Sequence, residues 1–107
     1  MITKKGTPVI PALAHLEALT GGALTIAKLL RTLRENDGAT QEEFARVLGI
    51  SKQHLCDIEK GRKTVLATRA AQFALSLGQP PAFFIQIALE EEFRKSGLKL
   101  RIKVEAA

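Results

Sequence analysis

The run TQEEFARVLGISKQHLCDIEKGRK, Thr40 to Lys63, restricts this chain more than any other stretch. Thr40 supplies an N-cap oxygen, and Glu43, three residues on, completes a capping box that opens a helix. That helix carries Phe44, Ala45, Val47 and Leu48 and stops at Gly49, a residue that accepts a left-handed backbone angle without steric cost. Ser51 caps the next helix, which holds Leu55 and Ile58 on one face and ends at Gly61. Two short helices joined by so tight a turn must cross at a large angle. Ala45 is small enough to let them approach, and Ile50, Leu55 and Ile58 anchor the second helix to a core. Lys52, Gln53, His54 and Asp57 are then left to face outward near its N-terminal end.

The flanking sequence is also mainly helical. Residues 1–23 read as an N-terminal arm, with a short helix possible from Pro11 to about Leu19 on the spacing of Leu13, Leu16 and Leu19. Gly21-Gly22 breaks it. From Leu24, the residues Ile26, Leu29, Leu30 and Leu33 share one helical face, with Lys28, Arg31, Arg34 and Glu35 on the other. Asn36-Asp37-Gly38 ends that helix. A further helix is expected from about Val65 to Leu77, closed by Gly78. Pro80-Pro81 starts another that buries Phe84, Ile87, Ala88, Leu89 and Phe93 and turns Glu90, Glu91 and Glu92 to solvent. Residues 24–97 thus read as one helical domain.

Residues 98–107 differ in period. Leu98, Leu100, Ile102 and Val104 alternate with Lys99, Arg101 and Lys103, the pattern of a half-buried β-strand. A lone strand in a helical chain needs a partner for its backbone groups. The economical partner is the same strand of a second subunit, so these four apolar residues are expected to dimerise the protein. The alternative is a tail that orders on another protein.

Charge and cysteine content narrow the function classes. The net charge of +5 suits a polyanionic partner, because each neutralised phosphate releases condensed counterions. The lone Cys56 cannot form an intrachain disulfide, and no apolar run is long enough for a membrane span, so the cytoplasm is the expected compartment. Pro8 and Pro11 interrupt the stretch beyond Lys4 and Lys5, which argues against a signal peptide. His15, His54 and Cys56 lack metal-ligand spacing, and no nucleophile stands with a base. Neither an enzyme, a metal site nor a cofactor is therefore expected.

Thr40 to Gly61 carries the signature of a helix-turn-helix, whose second helix enters the major groove. Its Thr40-Gln41, Ala45, Leu48-Gly49-Ile50-Ser51, Leu55, Ile58-Glu59 and Gly61 resemble the Xre family of lambda-repressor-like proteins. The likeness covers about Leu24 to Gly78. It implies a five-helix, dimeric DNA-binding domain, here with an N-terminal arm and a C-terminal strand added. By position, Ser51, Lys52, Gln53 and Asp57 fall where the family reads bases, and Gln41 where it clamps a phosphate. His54 is a further candidate base reader, and either His54 or Asp57 could equally contact only backbone or water. Gln53 suits adenine and Lys52 suits guanine, on donor and acceptor pattern. Lys60, Arg62 and Lys63 around Gly61 suit phosphate contacts.

The expected function is sequence-specific repression at a palindromic operator in double-stranded DNA. Within the resemblance, small proteins with a short C-terminal strand look like the autoregulating antitoxins of type II toxin-antitoxin pairs, which hold a toxin protein. A phage-type or restriction-controller repressor without a toxin is the alternative in the same class. An interaction adaptor on a helix-turn-helix scaffold is the alternative outside it.

Overall fold

Caps and apolar spacing place five helices in the computed structural model, which describes residues 22–107. They are α1 (Ile26–Asn36), α2 (Gln41–Leu48), α3 (Lys52–Glu59), α4 (Ala67–Leu77) and α5 (Pro81–Lys95). The expected arm and short helix within residues 1–21 lie outside the described residues. Thr25 caps α1, its hydroxyl oxygen accepting from the Lys28 N–H at 3.2 Å. At α2 the capping box is complete. Thr40 Oγ1 accepts from the Glu43 N–H, and Glu43 Oε1 accepts from the Thr40 N–H, both at 3.0 Å. Gly49 ends α2 with φ 77°, the left-handed angle that the turn into α3 needs.

The first helix starts at Ile26 and the fourth at Ala67, each inside the expected boundary. Val65 stays buried just ahead of α4, so its apolar character reflects core packing rather than membership of the helix. One core joins all five helices. It takes Leu29 and Leu30 from α1, Phe44 and Ala45 from α2, Leu55 and Ile58 from α3, Phe73 from α4 and Phe84 and Ile87 from α5. The fourth and fifth helices form the most extensive pair. Pressed between α2 and α1, the short α3 has its inner face fixed by Leu55, at 0% exposure, and Ile58, at 2%.

Expectations about the C-terminal third are corrected. Glu90 and Glu91 do not form a solvated face. Glu90 is buried, and Glu91 Oε1 accepts the Ile26 N–H at 3.1 Å, satisfying an orphan donor at the start of α1. Arg94 adds a second tie, donating to the Leu24 carbonyl at 3.3 Å. Phe93 is exposed, so the buried stripe of α5 runs through Phe83, Phe84, Ile87 and Ala88 instead.

The alternating tail is a further correction, because no strand occurs among the described residues. Leu98, Leu100, Ile102 and Val104 run without ladder hydrogen bonds, with Leu98 and Leu100 exposed and Ile102 and Val104 half-buried. Alternation sets which side chains face the protein, whereas a strand also needs a paired backbone. Here the Ile102 N–H donates to Glu90 Oε2 at 2.6 Å, a carboxylate taking the place of a neighbouring strand. The Arg101 guanidinium lies 4.0 Å from the same carboxylate. The buried glutamate and the tail thus explain each other.

Candidate nucleic-acid interface

The outer face of α3 begins at its cap. Ser51 Oγ accepts the His54 N–H at 3.0 Å, which orients the helix start and leaves the hydroxyl hydrogen to donate elsewhere. Lys52 and Gln53 follow, both exposed. One turn on, the Asp57 carboxylate collects two donors on a single oxygen. Gln53 Nε2 donates to Oδ1 at 3.0 Å, and Arg62 Nε donates to the same atom at 3.1 Å. The Gln53 amide, ahead of the Arg62 and Lys63 charges, holds the Asp57 carboxyl below its ordinary pKa and so in the anionic form.

The backbone of Asp57 organises the basic turn as well. Its carbonyl accepts the Arg62 N–H at 2.8 Å and the Lys63 N–H at 3.3 Å, folding the segment after α3 back towards that helix. Lys60, Arg62 and Lys63 are all exposed around Gly61, whose φ is 79°. Gln53, Asp57 and Arg62 are therefore one bonded constellation, with Lys63 beside it. His54 sits apart from it. It is half-buried and lines a groove of about 290 Å³ with Ile58, Thr64, Arg69 and Phe73, between α3 and α4.

Gln41 also sits apart. At the first position of α2 it donates through Nε2 to Glu59 Oε1 at 3.0 Å, across to the last turn of α3. Glu59 in turn receives one edge of the Arg34 guanidinium through two N–H groups. Nε reaches Oε2 at 2.8 Å, and Nη2 reaches Oε1 at 3.0 Å. The third Arg34 nitrogen donates to the Ala39 carbonyl at 3.2 Å, just ahead of α2. The Glu59 hydrogen bond is the main reason the Arg34 pKa is raised above its ordinary value. A bidentate pair of this kind is directional. It fixes α1, α2 and α3 with respect to one another, and so fixes how far the outer face of α3 stands from the body.

Sequence reasoning did not find Arg34 and Glu59 as functional supports. Arg34 read as a solvent-facing residue of α1, and Glu59 entered only as part of a motif. The two are separated by 25 positions, so no periodicity links them. The available signal was a glutamate at the end of α3 with no basic residue in the last turn of its own helix.

A profile described as a helix-turn-helix domain matches residues 25–82, more than half of the chain. Searches among curated proteins and solved structures find no match. The match begins at the Thr25 cap of α1 and extends into the first turn of α5, so it takes in the capped pair α2 and α3, the Gly49 turn and the whole outer face built on them. The chain belongs to the Xre/Cro-like helix-turn-helix family, and its domain is that of a DNA-binding transcriptional regulator.

Proposed function

We propose that the protein is a repressor that binds a palindromic operator as a homodimer and, as the antitoxin of a type II pair, controls its own promoter while holding a toxin protein. The observation that carries the DNA-reading part is the outer face of α3. Exposed Lys52 and Gln53 stand at its N-terminal end, next to Asp57 and the basic turn of Arg62 and Lys63. This is the end that helix-turn-helix proteins aim at base edges, with basic residues on the flanking phosphates. In this reading Ser51, Lys52, Gln53, His54 and Asp57 meet the bases or their immediate surroundings. Gln41, Lys60, Arg62 and Lys63 meet the phosphates, and the second N–H of Gln41 is the one that reaches DNA.

The test is a titration of operator and random duplex across a range of salt concentrations. Lys63→Ala is expected to weaken binding to both and to reduce the salt slope by about one unit, the value for one lost phosphate contact. An unchanged slope places Lys63 away from the DNA. If the intact protein shows no steeply salt-dependent binding to a palindrome, the adaptor reading replaces the repressor one.

The tail supports the dimer and antitoxin parts. Leu98 and Leu100 are 51% and 46% exposed on an extended segment, a surface suited to a second copy or a toxin. Truncation after Gly97 is expected to shift the protein towards monomer and to weaken binding to a full palindrome more than to a half-site. Sedimentation of the truncated chain checks this. A wholly dimeric product assigns the dimer to the helices and frees the tail for a toxin. Co-expression with the product of the adjacent gene, followed by co-purification, separates an antitoxin from a repressor without a toxin.

A further inference from the structure

We infer that Asp57 is a positioning residue that decides which base Gln53 reads, by locking the Gln53 side-chain amide in one of its two flips. The inference rests on the DNA-reading function proposed above. Its geometry is the contact of Gln53 Nε2 with Asp57 Oδ1 at 3.0 Å, one helical turn apart on the outer face of α3. An ionised carboxylate only accepts hydrogen bonds, so it holds the amide nitrogen towards itself and repels the amide oxygen. A free glutamine on a solvated helix can present either end. Here the flipped amide would set Oε1 against the carboxylate and lose the bond.

The lock has a consequence for recognition. Of the two Nε2 hydrogens, one is committed to Asp57, which leaves one N–H and Oε1 for the groove. One donor beside one acceptor matches adenine, whose N7 accepts and whose N6 amino group donates. Guanine presents two acceptors, N7 and O6, and would need two donors or a donor facing each. Gln53 held in this way satisfies one of them and sets its own oxygen against the other. Asp57 thus converts an ambivalent amide into an adenine reader without touching the base.

Arg62 supplies the second support. Its Nε donates to the same Oδ1 at 3.1 Å, so the carboxylate is held from the side of the basic turn and carries its counter-charge with it. That arrangement lets an anionic side chain stand on a face that meets polyanionic DNA. The turn itself does not depend on the carboxylate, because the backbone carbonyl of Asp57 receives the Arg62 and Lys63 N–H groups. Removing the side chain therefore leaves those bonds in place.

The experiment selects bound duplexes from a randomised pool with the full chain and with its Gln53→Ala, Asp57→Ala and Asp57→Asn variants, each checked for helix content by circular dichroism. The native protein is expected to enrich adenine at one position of each half-site, and Gln53→Ala to flatten that position. Asp57→Ala is expected to lower the adenine-to-guanine ratio there by about fivefold or more. Asp57→Asn, which keeps an accepting oxygen, is expected to fall between. An unchanged ratio in Asp57→Ala overturns the inference while leaving DNA reading intact. So does loss of preference at a different base pair, a cytosine above all, since Asp57 would then read a base itself. If the native protein enriches no sequence, the DNA-reading function fails first and the inference with it.

Discussion

Replacing Glu59 with alanine should remove about 3–5 kcal/mol of folding stability, because it strands a guanidinium that the fold has largely taken out of water. The Glu59 side chain is 4% exposed and that of Arg34 15%. In such a setting the attraction between the partners roughly offsets their desolvation, and deleting one partner leaves the other's cost uncompensated. Glu59 also accepts from Gln41, so the deletion unpairs a second donor at the start of α2. A domain of this size has about 5–15 kcal/mol of stability in total, so the variant loses a large fraction of it. Its midpoint should fall by more than about 12 °C in a thermal melt.

Arg34→Ala should cost a similar amount, since it leaves the carboxylate alone. The double variant should cost clearly less than the two single losses added together, because the second deletion removes a charge that the first had already orphaned. Urea melts of the four proteins close that cycle. A single-variant loss below about 1 kcal/mol would put the pair in the class of exposed ion pairs. It would then no longer explain how α3 is held. The double variant offers a further reading on function. If it stays folded and still binds random duplex but discriminates the operator poorly, the network's role is the placement of α3 rather than stability alone.

That network also marks where the sequence stopped being readable. Signals confined to one turn of chain came through. They include the Thr40 and Glu43 capping box, the Ser51 cap and the left-handed Gly49 between them. Each is satisfied by atoms a few residues away, so residue type and spacing suffice. The inner face of α3 was equally legible, because Leu55 and Ile58 sit where a 3.6-residue period requires. What failed depended on distant partners. Glu90 and Glu91 look like two members of an acidic run until the Ile102 and Ile26 N–H groups are brought against them by the fold. The tail failed for the same reason. Its alternation is real, but a buried carboxylate, rather than a second strand, receives the Ile102 N–H. At the interface, residue types pointed to Gln53, Asp57 and Arg62 one by one. Their joining through a single oxygen of Asp57 needed the turn after α3 to be folded.

The fifth helix allows a sharper trial of the same distinction, between two phenylalanines that the sequence placed on one buried side. Phe84 is at 0% exposure within the core and meets Phe83 edge-on, with ring centroids 6.2 Å apart. Phe84→Ala is expected to cost about 3–5 kcal/mol, the lost transfer energy of the ring plus a cavity that the surrounding helices cannot close. Phe93, at 37% exposure near the end of the same helix, has less burial to lose when truncated. Phe93→Ala is expected to cost clearly less, about 1–2 kcal/mol in the monomer. Denaturant melts of both variants at two protein concentrations decide the matter. Equal losses at low concentration would mean that Phe93 belongs to the core after all. A Phe93→Ala loss that grows with protein concentration would mean that a second copy covers this end of α5. Phe93 is about two turns beyond Ile87 and shortly before the exposed Leu98, so that outcome would place the dimer contact beside the tail. The two copies of α3 would then be held by the same element that Glu90 fastens to the core.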